Sequence, residues 1–200
     1  ISNTLESGVI CADITKNGVY AVATLSKSYN STVKIYNKKG KSIYSFNCAN
    51  DYINSIALSP NGKKIAVSCI NSTNGENHTK ILVFDRKSTD ALKTIEYPSD
   101  FVYTVEAKSK GFYAINSNGC DFISWKDKDT VKNDFKYKAS CFRSFNSGAV
   151  TVFCRNNDQS DNQIAIFNNK GIKTNQFDSI NPVEIDEDKN INIYYTFRLV

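Results

Sequence analysis

Four glycines, Gly18, Gly62, Gly111 and Gly148, each open a run of alternating apolar and polar residues, at intervals of 44, 49 and 37 positions. An aromatic residue ends the next such run in every case: Tyr36, Phe84, Trp125 and Phe167. A second aromatic follows ten positions later in three of the units, as Phe46, Phe135 and Phe177. In the remaining unit Tyr97 comes thirteen positions after Phe84, beyond the longer turn Asp85 to Asp90. The segments Tyr36-Asn-Lys-Lys-Gly-Lys-Ser-Ile-Tyr-Ser-Phe46 and Phe167-Asn-Asn-Lys-Gly-Ile-Lys-Thr-Asn-Gln-Phe177 show the recurrence most directly. A chain written in like units of this length points to a stack of like units.

Each unit reads as four short strands. Gly18 to Leu25, Thr32 to Tyr36 and Ser42 to Phe46 alternate with period two, which places one set of side chains on each face of a strand. Lys-Asn-Gly at 16–18, Lys-Lys-Gly at 38–40, Pro-Asn-Gly at 60–62 and Asn-Lys-Gly at 169–171 supply the turns. No long 3.6-residue stripe interrupts the pattern. Four strands per roughly 40–45 residues is the signature of a β-propeller blade. The expected fold is therefore all-β, a β-propeller with blades at about 8–47, 52–97, 101–137 and 139–178 and a partial blade over 182–200. Four and a half blades read most simply as the front of a larger ring. A closed four- or five-blade ring and a plain β-sandwich are the alternatives. The open end blades would favour self-association.

Composition fits this reading. The 200 residues are 40% hydrophobic and 12% aromatic, too apolar for a disordered chain. Net charge is +5, and no apolar run reaches the length of a membrane span. The chain contains no methionine, not even at position 1, so it is expected to be part of a longer one. Six single cysteines lack zinc spacing. Cys11, Cys69, Cys141 and Cys154 sit in apolar runs, where a buried thiol is the expected role.

Leu58-Ser-Pro-Asn-Gly-Lys-Lys-Ile-Ala-Val67 resembles the inner hairpin of WD40-like repeats, with Asn61 where those repeats usually carry Asp. Gly8-Val-Ile-Cys-Ala-Asp-Ile14, Asn17-Gly-Val-Tyr-Ala-Val-Ala-Thr24, Val33-Lys-Ile-Tyr-Asn37 and Ile56 to Val67 are similar to a propeller-like family of unknown function from Gram-positive bacteria. Members of that family generally follow an N-terminal membrane anchor. The resemblance, carried by residues 8–70, implies an extracytoplasmic, membrane-attached parent and assigns no activity.

Little in the chain points to chemistry. His78, the single histidine, lies in a polar stretch read as a loop between two strands. No nucleophile elbow, zinc-protease or P-loop motif occurs. The acidic segments Asp127 to Asp134 and Asp186 to Asn190 lack the glycine and distant glutamate of a calcium loop, and the second aligns with the hairpin turn Ser59 to Lys63. No metal or cofactor is expected. Lys126 to Lys138 mixes lysines, aspartates and aromatics, which fits an exposed outer hairpin better than a nucleic-acid groove. No nucleic-acid partner is expected, nor contact of this chain itself with a membrane.

Registering the units on their glycines aligns Asp13, Ala57, Glu106 and Arg143, with Glu184 as the equivalent in the partial blade. All belong to innermost strands. The opposite parity, Ala12/Ile14, Ile56/Leu58, Val105/Ala107 and Val183/Ile185, is apolar and is expected to pack between blades. Asp13, Glu106, Arg143 and Glu184 would then face the central channel or a polar blade contact. They are the candidate set for a polar ligand, against a solvated channel wall. The expected function is a non-catalytic binding or scaffold domain of the cell envelope with a protein or glycan partner. The alternative is a glycan or peptide hydrolase using Asp13 and Glu106.

Overall fold

The sequence alternates because each strand has two faces to satisfy, and the structure satisfies both by stacking sheets. A computed structural model describes residues 8–48, 51–73, 76–116, 119–126, 130–131, 137–144, 150–156, 162–168, 172–179, 183–185 and 191–193. The first sheet is β1 (Gly8–Ile14), β2 (Tyr20–Leu25), β3 (Ser31–Tyr36) and β4 (Ser42–Cys48). The second is β5 (Tyr52–Leu58), β6 (Lys64–Thr73), β7 (Glu76–Asp85) and β8 (Lys93–Tyr97). The third is β9 (Val102–Ala107), β10 (Gly111–Asn116), β11 (Gly119–Ser124) and the short β12 (Thr130–Val131). The fourth is β13 (Tyr137–Ser144), β14 (Val150–Asn156), β15 (Asn162–Phe167) and β16 (Lys173–Ser179). A two-stranded pair, β17 (Val183–Ile185) and β18 (Ile191–Ile193), follows. Every sheet is an antiparallel meander with its strands in sequence order. β1 lies beside β5 and β5 beside β9, so the first strand is the inner one in the first three sheets, and the fourth follows the same strand order. This is the blade arrangement of a β-propeller.

The seams between blades are the core. Between the first two blades, Ala21, Ala23, Val33, Ile35 and Phe46 meet Ile53, Ile56, Leu58, Ile65, Val67 and Phe84. Between the second and third, Ala57, Ala66, Ile81, Val83 and Tyr97 meet Val105, Phe112, Ala114, Ile123 and Trp125. Each large side chain buried this way contributes about 1.5–3 kcal/mol, which a single blade could not collect. The recurring aromatic has one job: it packs toward the preceding blade. Phe84 stacks on Phe46 at 4.2 Å, Trp125 packs in the seam facing blade two, and Phe167 lies 6.4 Å from Tyr113 of blade three. Tyr36 occupies the same register in the first blade, where it is buried and stacks on Tyr20 at 4.9 Å.

Two local expectations differ from the structure. The polar stretch around His78 continues the ladder instead of forming a loop: Asn71 pairs with His78 and Thr73 with Glu76. The extension is anchored from outside, by Asn71 Nδ2 donating to Asp51 and His78 Nδ1 bonding the Pro98 carbonyl at 3.0 Å. Tyr137 and Lys138 begin β13, where they pair with Asn156 and Arg155.

Candidate functional site

The inner strands share a device the composition does not reveal. Each of the first four carries a β-bulge, at Ile10, Asn54, Tyr103 and Ser140. Asp13, Ala57, Glu106 and Arg143 each lie three residues beyond the bulge, so the register set by the glycines and that set by the bulges coincide. Asp13 pairs with Ala21, Glu106 with Tyr113, Arg143 with Thr151 and Glu184 with Asn192. The side chains of Arg143 and Glu184 lie outside what the structure describes.

Of the two placements expected for the charged parity, Asp13 shows the polar blade contact, and the apolar parity of blade two packs in a seam as expected. Asp13 shares its face with Cys11, Ala21 and Ala23, which pack against blade two. Ile14 points to the open side of the first blade and is 68% exposed, whereas Leu58 at the same register is 2% exposed. The reason is geometric. In a stack, both faces of a blade meet neighbouring blades; the channel is lined by the inner edge of the sheet and not by one face. In blade two, Ile56 and Leu58 face the first blade while Ala57 faces the third.

On these faces polar side chains tie one blade to the next. Asp13 Oδ2 accepts the Leu58 amide at 2.6 Å, and its Oδ1 accepts the Ile14 amide at 2.8 Å. Ser55 Oγ accepts the Val105 amide at 3.1 Å and shares a hydrogen bond with Thr104 Oγ1. Asn54 Nδ2 donates to the carbonyls of Val102 and Tyr103. Burial pushes the Asp13 carboxyl above its ordinary pKa, and its two amide bonds only partly offset this. Lys108 is buried two residues beyond Glu106. Desolvation lowers its pKa, and Glu106 works in the opposite direction. The sequence reading missed Ser55, Asn54 and Lys108. The signal available was register: Ser55 lies two residues before Ala57, and Lys108 two after Glu106.

β5 stands between the strands that carry Asp13 and Glu106, and both Asp13 oxygens accept backbone amides. Among the described residues no group of three His, Cys, Asp or Glu is placed to hold a metal. The described cysteines Cys11, Cys48, Cys69 and Cys120 are free thiols, and the last three are buried. The acidic turn Asp186 to Asn190 and most of Lys126 to Lys138 lie outside the described residues.

Antiparallel order gives each blade two unlike ends. At the leading end, inner strands begin, and the connection from each blade's outer strand arrives. Exposed tyrosines gather there: Tyr29, Tyr52 and Tyr103, the last packed 5.3 Å from Phe101. Asp51 is buried at this end and pairs with Lys80 at 2.8 Å. The hairpin end holds the turn between first and second strands and the turn between third and fourth.

The comparisons agree with this architecture. The β-propeller domain of Cps50 (Swd1) from Myceliophteria thermophila superposes with a TM-score of 0.63 at 13% identity, over 96% of this chain and 64% of that one. Hydrazine synthase from Kuenenia stuttgartiensis gives 0.59 at 11% identity, over 94% and 55%. The chain thus spans less than two thirds of either structure, and the likeness is one of fold. No curated protein matches the sequence. The family described as "Family of unknown function (DUF5711)" matches residues 2–195, and the chain belongs to it.

Proposed function

We propose that this chain is a non-catalytic binding or scaffold propeller of the bacterial cell envelope, part of a membrane-attached, extracytoplasmic parent of Gram-positive origin, with a protein or glycan partner. The observation that carries the reading is how the inner-strand polar groups are used. Asp13 and Ser55 spend their acceptors on amides of the next blade, which supports a rigid frame over a reactive centre. The exposed, sequence-distant tyrosines of the leading end, Tyr52 and Tyr103, supply the surface. Tyrosine offers large contact area at low entropy cost and stacks on sugar rings as readily as on peptide. In this reading Asp13, Glu106, Arg143 and Glu184 are the polar residues, at one register position of the inner strands, available to a ligand.

The test is a binding titration of purified peptidoglycan fragments against the chain and its Tyr52→Ala/Tyr103→Ala variant, with products followed by mass spectrometry. Binding that weakens at least roughly tenfold in the variant, with fragments left intact, is expected for two truncated aromatic anchors. Fragment cleavage abolished by Glu106→Gln would instead establish the hydrolase reading.

A further inference from the structure

The lysines that look scattered in the sequence are sorted by the fold. At the leading end the charges of the first three blades include Lys27 and Lys80 against Asp51, Glu76, Glu96 and Asp100, with Lys80 paired to Asp51. Among the described residues of the hairpin end, Lys16, Lys38, Lys39, Lys41, Lys63, Lys87, Lys110, Lys126 and Lys173 are exposed, the acidic residues of the described turns are Asp85 and Asp90, and Asp13 and Glu106 lie just before those turns on the inner strands. Lys64 and Lys93 add to the same end, though their ammonium groups are held by the Trp125 and Ser124 carbonyls.

The turns form one continuous surface. A Cβ on Gly18 would meet Lys38 at 2.9 Å, which joins the two turns of blade one. A Cβ on Gly62 would meet Val19 at 3.0 Å, joining blade one to blade two. Arg86 N donates to Lys63 O at 2.8 Å, joining the two turns of blade two. Lys64 and Lys93 reach the turn of blade three, and Tyr113 OH donates to Asn168 O in that of blade four.

A second feature recurs on the same rim. Each described outer turn sets an exposed aliphatic beside a lysine: Ile43 follows Lys41, Leu92 precedes Lys93, and Ile172 precedes Lys173. Leu92 is 53% exposed and Ile172 55%. The three aliphatics flank the start of the outer strands, so the apolar contact and the lysine charge recur together along one rim.

We propose that the hairpin end docks on the headgroup surface of an anionic bilayer, with the lysines on lipid phosphates and Ile43, Leu92 and Ile172 in the interfacial layer. Basic clusters are drawn to anionic leaflets, and aliphatic side chains add binding by leaving water at the acyl boundary. A soluble polyanion accounts for the lysines alone. A nucleic acid would also call for aromatic stacking, and the described exposed aromatics, Tyr29, Tyr52 and Tyr103, lie at the opposite end. Docked this way, the chain turns its tyrosine-bearing end away from the membrane.

Vesicle flotation tests this with three proteins: the chain, the Lys38→Gln/Lys39→Gln/Lys41→Gln variant, and the Ile43→Ser/Leu92→Ser variant. All substituted side chains are exposed, and urea midpoints verify that the variants fold. The chain binds vesicles of equal parts phosphatidylcholine and phosphatidylglycerol, does not bind phosphatidylcholine alone, and is released by high salt. The lysine variant binds roughly a hundredfold more weakly. The aliphatic variant loses vesicle binding but keeps its affinity for soluble polyphosphate. No binding to phosphatidylglycerol vesicles at low ionic strength overturns the proposal, and so does unchanged binding by the lysine variant. Loss of polyphosphate and vesicle binding only through the lysines, with the aliphatic variant unaffected on vesicles, replaces the bilayer with a soluble polyanion.

Discussion

The Asp13 carboxylate and the Leu58 amide meet at 2.6 Å across the first seam, and Ser55 and Val105 repeat the relationship across the second. In both, the acceptor on one inner strand takes the amide one register position further along the next. The same offset with different side chains identifies a structural joint in the repeat, met once by a carboxylate and once by a hydroxyl.

The joint has a pH signature. Asp13 has a raised native pKa, with burial the main cause. Its protonated form is therefore favoured by folding. The stability this supplies is complete below the unfolded value of about 3.9 and is lost as pH rises through the native value. Asp13→Asn keeps an acceptor for Leu58 and removes the titration. Urea midpoints measured from acid to neutral pH should show the variant gaining on the parent chain as pH rises through this window. A parent chain that gains on the variant would reverse the sign and refute the argument. Asp13→Ala, which strands the Leu58 amide, should cost about 1–3 kcal/mol.

Gly111 opens β10 where nothing larger fits. A Cβ there would stand 2.2 Å from the Ile123 carbonyl oxygen and 2.9 Å from its carbon, both backbone atoms. Gly111→Ala must push β10 and β11 apart and should cost about 3 kcal/mol, the upper range for overpacking. Gly8 faces open space, its nearest neighbour 4.0 Å away, and Gly8→Ala should leave the urea midpoint nearly unchanged. Equal midpoints for the two variants would contradict the close approach at Gly111.

Cys48 and Cys69 come from different blades and meet in the first seam, where Cys69 Sγ donates to the Val67 carbonyl at 4.0 Å. The interaction between the two thiols pulls the Cys48 pKa down and pushes Cys69 up, and burial adds to the rise at Cys69. Cys11 is only half-buried, yet its thiol is pushed up to about 11 by burial and by Asp13, so its reactive thiolate is scarce near neutral pH. Mild diamide oxidation followed by peptide mass mapping should join Cys48 to Cys69 before any other pair. A first cross-link through Cys11 would contradict this assignment.

How much of this was legible in the sequence follows from what each signal encodes. The repeating glycines and aromatics are contacts within one unit or with its neighbour, so their spacing carries the blade. Phe84, Trp125 and Phe167 all pack where the repeat implies. The inner-strand register was legible for the same reason. What Asp13 faces was not, because alternation says that two faces differ and not what covers each. Ser55 and Asn54 were invisible because a serine or asparagine in a strand acquires meaning only when the next blade's backbone arrives. The gathering of lysines at one end needed the order of strands in space.

Ile14 and Leu58 hold the same register, yet one is 68% exposed and the other 2%. The difference measures what a neighbouring blade removes from water. Burying an isoleucine of this kind is worth about 1.5–3 kcal/mol, and the half-buried Tyr20 and Val22 extend the same face. In a solution of the isolated chain the available cover is a second copy, so sedimentation should show a mass that rises with concentration. Ile14→Asp places a charge that any partner would have to desolvate. It should weaken this association roughly tenfold or more, while the urea midpoint, taken at low concentration, stays within a few tenths of a molar of the parent. A chain that sediments as a monomer at every concentration, or an Ile14→Asp variant that associates as the parent does, would show that this face is content with water.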